Sequence, residues 1–394
     1  MGAQNLHQPK PRNPNSIERV LAGHPLATHQ GETFLVEERF SQSYRHGRMG
    51  IQLTHPLDTI GRWAGEARIG ELQPQAFAFL DTETTGLSGG TGTYAFLIGA
   101  GKFEGGDFHL AQFFLRDPRE EPAQLAALEE FLTPCQSLVT FNGKAFDVPL
   151  LKTRYIWHGW QTPFEETAHI DLLHLARRLW RDRLPNRALG SLEQNILGHQ
   201  RSEEDVPGWM IPSLYFQYLR DGDARPLKRV FYHNAIDVVS MAALLNHMAG
   251  LLSDPLSGAV DEGVDIIAMA KLFESMGEID NAARLYIDGL EHDLPKPALL
   301  EAIEKLAAIY KHQEAYPSAI ELWQQAAQYG HIPSYEELAK YYEHKARDYE
   351  TAKNWTEAAI RLVSQPGYPA YERYRWIDDL EHRLDRLQSK LSKG

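Results

Sequence analysis

The sequence predicts an α/β fold, with a mixed sheet flanked by helices, followed by an all-α repeat region. Three apolar strands separated by glycine-rich turns begin at residue 77, and from residue 260 onward every segment has the apolar spacing of a helix. A chain of 394 residues, 43% of them hydrophobic, can bury more than one core. We therefore expect two folded domains.

Short apolar runs bounded by turns define the elements of the sheet domain. The predicted elements are strands at 77–84, 93–103, 108–115 and 137–141 and helices at 122–132, 148–157, 169–180, 192–197, 212–219 and 227–252. Hairpin-linked strands come first, and a strand–helix–strand unit follows. The sheet is therefore predicted to have an antiparallel start and a parallel addition.

Changes in composition divide the chain into segments. Residues 1–30 are rich in proline and polar residues and are predicted to be a mobile N-terminal arm. Residues 31–75 are predicted to be an extension that packs on the sheet domain at 76–252. Residues 253–258 have the composition of a linker, and residues 260–394 are predicted to form the helical repeat domain.

A weak repeat runs through the helical region, with small and aromatic residues recurring at offsets of about 33 to 37 positions. The matching sets are Ala282, Leu285, Tyr286 and Gly289; Ala319, Leu322, Trp323 and Ala326; and Ala352, Trp355, Thr356 and Ala359. This pattern resembles tetratricopeptide repeats, in which helix pairs stack into a solenoid. An ordinary helical bundle is the alternative.

Charge and cysteine content restrict the function classes. A formal net charge of −13 argues against a protein that coats nucleic acid through bulk electrostatics, but not against an enzyme that attracts phosphate locally. The single cysteine, Cys135, excludes an internal disulfide and indicates a reducing compartment. Residues 1–6 lack an apolar signal core, and no segment is predicted to span a bilayer, so we expect a cytoplasmic protein.

A pair of acidic residues lies at the end of the first apolar strand of the sheet. Asp81 and Glu83 are two positions apart, so their side chains project from the same face and can grip one cation. Two anions beside a hydrophobic segment repel each other and lose hydration, which a divalent ion would offset. A chance acidic pair on a solvated strand end is the alternative.

Two later segments carry further acids. Asp147 follows the strand at 137–141 and opens a helix, at the edge that Asp81 reaches if the two strands are adjacent. His233 and Asp237 are four residues apart on the predicted helix at 227–252, so they share one helix face. Four acids and one histidine are therefore predicted to converge.

The order Asp81, Glu83, Asp147 and then His233 with Asp237 resembles the DEDD (DnaQ-like) family of 3′→5′ exonucleases, which have a ribonuclease H-like fold. Together with the helical repeats, it resembles the YprB-like group of bacterial proteins. The DEDD resemblance covers roughly residues 75–250. The family places a histidine five residues, or a tyrosine four residues, before the last aspartate. Here His233 is four residues before Asp237 and Tyr232 is five, so the proton acceptor stays open between them.

The resemblance implies a two-metal mechanism with Asp81 as the bridging ligand. It assigns Glu83 and Asp237 to the ion that activates water and Asp147 to the second ion. Oxygen donors without a cysteine or histidine cluster suit Mg²⁺ or Mn²⁺ rather than zinc. His233 is the favoured base for the attacking water, and Tyr232 or a merely structural histidine are the alternatives.

Other residues are candidates for substrate binding. In similar enzymes the stretch equivalent to Thr84, Thr85, Gly86 and Leu87 meets the terminal nucleotide, although a tight turn is an equal alternative. Asn142 is a candidate for a hydrogen bond to sugar or phosphate, or simply a turn residue.

Two polar features nearby have less direct roles. Asp171 is predicted to be a helix N-cap rather than a fifth ligand. Arg177, Arg178 and Arg181 beside Trp180 would suit phosphate tracking and base stacking on a single strand, but a solvated helix face is preferred.

The resemblance predicts a metal-dependent 3′→5′ exonuclease that acts on a single strand or 3′ end of DNA. It also implies a role in DNA repair, with a helicase or another repair protein as partner of the helical repeats. An exoribonuclease is the first alternative, because no 2′-hydroxyl contact is identifiable. A non-catalytic adaptor acting through the repeats is the second, and the presence of all four acids argues against it.

Overall fold

The computed structural model describes residues 14–86 and 92–392. The chain divides into two compact units, Met1–Pro255 and Leu256–Gly394. The first unit contains the sheet and all of the predicted site residues. The second is helical.

The strands of the first unit form a seven-stranded sheet and, within the described residues, one small hairpin. They are β1 Gly23–Thr28, β2 Gly31–Phe40, β3 Arg45–His46, β4 Met49–Gly50, β5 Phe77–Thr84, β6 Ala95–Glu104, β7 Asp107–Phe114, β8 Ser137–Thr140 and β9 Ala168–Asp171. The large sheet has the order β1-β2-β7-β6-β5-β8-β9, and β3 pairs with β4. Only the β5–β8 and β8–β9 pairs of the sheet are parallel. The predicted mixed sheet is confirmed.

Helices cover both faces of this sheet. They are α1 Ile17–Val20, α2 Asp58–Ala64, α3 Glu121–Leu132, α4 Asp147–Trp157, α5 Leu172–Leu179, α6 Leu189–Leu192, α7 Ile211–Asp221 and α8 Leu227–Ser253. One core joins α3 and α4 to inward residues of the strands such as Leu80, Ile98 and Phe113. The other joins α7 and α8 to Phe96 and Phe114 on the opposite face. The alternation of side chains along each strand thus serves two cores.

Strand β5 lies in the interior of the sheet, between β6 and β8. Its first four residues, Phe77 to Leu80, are buried, and its last four, Asp81 to Thr84, are half-buried. The apolar half of β5 therefore lies in the core, and its polar half lies at the carboxyl end of the strand. The register with β6 shifts between Glu83 and Thr84, where the acidic segment ends.

Two sequence predictions were wrong at their boundaries. The predicted helix at 169–180 begins only at Leu172, because Ala168–Asp171 pairs with β8 as a parallel strand. A four-residue segment has no period of its own, and pairing with β8 determines its structure. The predicted arm at 1–30 also contains structure, since α1 and β1 lie within residues 17–28 and β1 pairs with β2.

Helix α8 corrects a third prediction, that no segment is apolar enough to span a bilayer. Over 27 residues it is long and apolar enough to do so. However, 72% of its most apolar window is buried inside the protein. Because the helix packs against strands β5, β6 and β7, its hydrophobicity is accounted for by the core.

The second unit is helical throughout its described elements. These are α9 Gly263–Ser275, α10 Ile279–Leu290, α11 Lys296–His312, α12 Tyr316–Gln328, α13 Ile332–Tyr341, α14 Tyr349–Val363 and α15 Ala370–Leu391. Ala282, Ala319 and Ala352, the first members of the three repeat sets, are all buried, one each on α10, α12 and α14. Corresponding positions thus pack alike in three successive helix pairs. Their assignment as tetratricopeptide repeats stays a prediction.

Candidate active site

Asp81 and Glu83 occupy the polar half of β5. Burial raises the pKa of Asp81 well above its usual range, and the charges of Asp237, Glu83 and Asp147 raise it further. Burial likewise raises the pKa of Glu83, with Asp237 and Asp147 adding to the effect. Each acid is therefore affected by carboxylates from other parts of the chain. Asp81 and Glu83 lie in one electrostatic cluster with Asp147 and Asp237.

Asp147 is the first residue of α4 and is held against β5. The backbone N–H and the hydroxyl of Thr82 donate hydrogen bonds to its Oδ1 at 3.1 and 2.5 Å. Burial raises the pKa of Asp147 to about 6, although the bonds from Thr82 act in the opposite direction. Thr82 lies between Asp81 and Glu83, so this contact brings the third acid to the edge formed by the first two.

Helix α8 supplies His233 and Asp237 on one face. Burial raises the pKa of Asp237, while the positive charge of Arg201 opposes that rise. Nε2 of His233 lies 3.6 Å from Oδ2 of Asp237. Nδ1 lies 2.7 Å from Oδ1 of Asp205. The same Nδ1 lies 3.1 Å from Nη1 of Arg201. A proton on Nδ1 would be donated to Asp205 and would leave the lone pair on Nε2, on the side of Asp237.

Tyr232, the alternative proton acceptor, has a different environment. Its hydroxyl accepts a hydrogen bond from the backbone N–H of Ser202 at 3.1 Å. The tyrosine therefore ties α8 to the segment that precedes α7. The Tyr232 hydroxyl thus faces Ser202, whereas His233 directly faces Asp237.

Arg201, which sequence reasoning missed, lies within the acidic cluster. Its guanidinium donates to Glu193 at 2.6 and 2.5 Å and also to Oδ1 of Asp237. Glu193 comes from a π-helical turn at Glu193–Leu197 and is almost fully buried. No spacing rule links these residues to α8, so only the tertiary structure reveals the contact.

Asn234 is a second residue that sequence reasoning missed. It is fully buried, and its Nδ2 donates to Oδ2 of Asp81 at 2.7 Å. Its Oδ1 accepts from Nε2 of Gln112 on β7 at 2.9 Å. Gly99, opposite Asp81 on β6, makes room for this amide, since a Cβ there would lie 2.3 Å from Oδ1 of Asn234. A polar residue three positions before Asp237, on its helix face, was the available signal.

A cleft of about 460 Å³ opens beside these residues. Glu83, Asp147, Thr84 and Gly86 are among the residues that line it. So does Phe146, a further residue missed from the sequence, whose ring is 58% exposed. The volume is within the range of small-molecule and nucleotide pockets.

Two of the predicted substrate residues lie away from the cleft. Thr85 pairs with Tyr94 through backbone and hydroxyl hydrogen bonds of 3.0 Å, and it does not line the cleft. Asn142 has a left-handed backbone with φ of 67°, and its N–H donates to Asp171, as in a turn. The structure therefore favours the turn interpretation for both. Leu87 lies outside the described residues.

The predictions for Asp171 and for the arginine cluster beside Trp180 have different outcomes. Asp171 is the N-cap of α5 and accepts from the backbone N–H of Leu173, as expected. Trp180 is only 1% exposed and stacks on His247, so it cannot stack on a base. Arg177, Arg178 and Arg181 are exposed. The aromatic component of the basic cluster is therefore absent.

The donor set of the cluster fits a hard divalent cation. It offers carboxylate oxygens from Asp81, Glu83, Asp147 and Asp237, whose repulsion a cation would relieve. In the described residues, no three acidic, histidine or cysteine side chains are arranged closely enough to hold a metal ion in their present conformations. Asp147 is bonded to Thr82 and Asp237 to Arg201, so their present partners account for this.

Comparisons with known proteins agree with the arrangement of the sheet. Residues 78–249 match the RNase H superfamily. The chain is also 34% identical, over 336 residues, to the uncharacterized protein YprB of Bacillus subtilis (strain 168). That match covers 82% of this chain and 79% of YprB. The chain belongs to the YprB family.

The RNase H-like domain at residues 78–249 indicates a nuclease-type hydrolase that binds nucleic acid. Nucleases of this kind generally use divalent metal ions. The matched residues include β5, α4 and α8, which carry the four acids.

Proposed function

We propose that this protein is a metal-dependent 3′→5′ exonuclease that hydrolyses DNA phosphodiester bonds. The observation that carries the proposal is the position of Asp81, whose pKa is raised by burial and by Asp237, Glu83 and Asp147. Crowding several carboxylates at half-buried positions is costly for a fold and suits a cation site that can approach a phosphate.

In this proposal the four acids hold two Mg²⁺ or Mn²⁺ ions. Asp81 would contact both ions, Glu83 and Asp237 would complete one site, and Asp147 would serve the other. When bound, such ions lower the pKa of a water and neutralise the leaving 3′ oxygen of the DNA. The protein's own contribution is to fix the carboxylates, with Thr82 orienting Asp147 and Asn234 orienting Asp81.

His233 is the proposed general base. With a proton on Nδ1 donated to Asp205, Nε2 would be able to take a proton on the side of Asp237. Tyr232 is the weaker candidate, because its hydroxyl is hydrogen-bonded to Ser202. The spacing of four residues places His233 and Asp237 on one face of α8. This geometry supports His233 as the base, although the spacing departs from the family pattern.

The cleft supports an end-directed activity on a single strand. Glu83 and Asp147 lie at its wall, and the exposed side chain of Phe146 offers a face on which a base can stack. Thr84 and Gly86 line the same cleft and are the proposed contacts for the terminal nucleotide. A role in DNA repair, with a helicase or other repair protein held by the helical unit, belongs to this proposal.

The test is the direction and substrate of hydrolysis. The full chain is incubated with Mn²⁺ and matched single-stranded DNA and RNA oligonucleotides that carry a 5′ label. We expect a ladder that shortens from the 3′ end of DNA and is blocked by a 3′-terminal phosphorothioate. Preferential cleavage of RNA would replace DNA by RNA as substrate, and cleavage at internal sites alone would contradict an exonuclease.

A further inference from the structure

Arg201 lies where three parts of the first unit meet. Besides Glu193 and Asp237, its guanidinium approaches Nδ1 of His233 at 3.1 Å and Oδ2 of Asp205 at 3.5 Å. It is thus in contact with the proposed base, with the carboxylate that orients that base, and with one proposed metal ligand. Its side chain is only 14% exposed.

Glu193 fixes the arginine at this position. Both of its carboxylate oxygens accept from Arg201, and Oε1 also accepts from Oγ of Ser240 at 2.9 Å. A buried carboxylate needs such partners, because an unpaired buried charge is strongly destabilising. The Glu193 pair therefore holds the guanidinium beside Asp237 in the present structure.

Asp237 has one carboxylate for two possible cations. Its Oδ1 accepts from Arg201 in the present structure, and the same group would be needed by a divalent ion. We propose that Arg201 is a positioning residue, the built-in counter-ion of Asp237, and that divalent cation binding displaces it from that carboxylate. This inference rests on the proposed function, because it presupposes that Asp237 is a metal ligand.

The neighbouring groups allow such a displacement without leaving the arginine unpaired. Asp205 already lies 3.5 Å from Nη1, and Glu193 holds the other side of the guanidinium. A small rotation away from Asp237 would therefore keep two carboxylate partners. Arg201 would prevent the acids from repelling each other before an ion arrives, and it would weaken ion affinity by competition.

The experiment compares Mn²⁺ binding by isothermal calorimetry in the full chain, without nucleic acid. The main variant is Glu193→Gln with Arg201→Gln, which removes the competing cation and leaves the net charge unchanged. Its Mn²⁺ Kd should fall by about tenfold. Arg201→Lys retains a competing cation and should stay within roughly threefold of the wild type. Arg119→Gln, which removes an exposed arginine paired with Asp117, is the matched control and should not change the Kd.

A second measurement uses the wild-type chain and does not depend on a variant that folds. Side-chain NMR signals of Arg201 should shift when the protein is saturated with diamagnetic Mg²⁺. An unchanged or weakened Mn²⁺ affinity in the folded double variant would overturn the inference, and so would unshifted Arg201 signals. A wild-type chain that binds no divalent ion would overturn the proposed function and this inference together, whereas normal binding without displacement would remove this inference alone.

Discussion

Asn234 on α8 donates a 2.7 Å hydrogen bond to Oδ2 of Asp81 on β5, across 153 positions of the sequence. The same amide accepts from Gln112, which also donates to the backbone carbonyl of Phe231. Asp81 is therefore oriented by a buried chain of amides that joins β7, α8 and β5. This connection explains how a long core helix can position an acid on a distant strand.

Removing the amide of Asn234 should impair the nuclease more than the fold. In Asn234→Ala, Asp81 loses its orienting donor and Gln112 loses an acceptor. We expect DNA hydrolysis to fall by about 10- to 100-fold and the free energy of unfolding to fall by about 1–3 kcal/mol. Activity assays and urea titrations measure the two effects. Asn195→Ala, at an exposed asparagine bonded to Ser191, is the control, and an equal loss of activity there would contradict the prediction.

Gly99 should tolerate no larger side chain. A Cβ at this position would lie 2.3 Å from Oδ1 and 2.9 Å from Cγ of Asn234, so the amide would have to move. Gly99→Ala should lower the free energy of unfolding by about 1–3 kcal/mol and reduce hydrolysis with it. Gly50→Ala is the matched strand control, because nothing lies within 4 Å of its added Cβ. A Gly99→Ala protein with wild-type stability and activity would show that the amide is not closely packed.

Phe146 should contribute to substrate affinity rather than to stability, because its ring is exposed at the cleft. Phe146→Ala should raise the Kd for a single-stranded DNA oligonucleotide by about tenfold, the effect of one lost stacking contact. Fluorescence anisotropy in an Asp81→Asn background measures binding without hydrolysis. Ile156→Ala, at an exposed apolar residue of α4 that does not line the cleft, should leave the Kd unchanged. Equal effects of the two substitutions would remove Phe146 from the substrate path.

Glu343 in the helical unit should make stability depend on pH. Burial alone would raise its pKa, but hydrogen bonds from Arg386 and Lys390 outweigh burial and lower the pKa to about 2, from 4.5. Because the folded-state pKa is the lower one, the stabilisation is present above pH 4.5 and is lost as the pH falls towards 2.

Glu343→Gln should therefore cost about 2 to 3 kcal/mol of unfolding free energy at pH 7. The difference from the wild type should shrink below pH 4.5. Urea unfolding at pH 7, 4.5 and 3 checks this trend. Glu350→Gln, at an exposed partner of Lys353, should change stability by less than about 0.5 kcal/mol throughout. A Glu343→Gln difference that does not vary with pH would contradict the assignment.

The elements of the sheet domain were predictable where the sequence has a clear apolar pattern that ends at a polar or turn residue. Strand β5 and helices α4 and α8 agree with their predicted ranges to within one residue, because long apolar runs end at polar or turn residues. Strand β9 was missed because four residues carry too little pattern and depend on pairing with β8. Strand β1 was missed because it contains Pro25 and few apolar residues, and it lies at the edge of the sheet.

The acids of the candidate site and His233 were predictable from the sequence, whereas their buried polar partners were not. Asp81, Glu83, Asp147 and Asp237 follow from spacing, since strand and helix periods bring them to one edge. Arg201 and Asp205 lie between helices, in a segment with no period, and their role appears only when that segment folds over α8. Asn234 lies between His233 and Asp237, two residues that the sequence analysis singled out. Its role as a hydrogen-bond donor to Asp81 could not be predicted without the positions of β6 and β7.

The most direct test of the account is Mn²⁺-dependent hydrolysis of a 5′-labelled DNA strand by the wild type and by Asp81→Asn, prepared identically. Asparagine keeps the shape of the side chain at the centre of the cluster but removes the charge that a cation needs. We predict metal-dependent shortening from the 3′ end by the wild type and at least a thousandfold lower rate in the variant, a loss of about 4 kcal/mol in transition-state stabilisation. Equal rates in the two proteins, at equal thermal stability, would contradict the claim that these carboxylates form the active site.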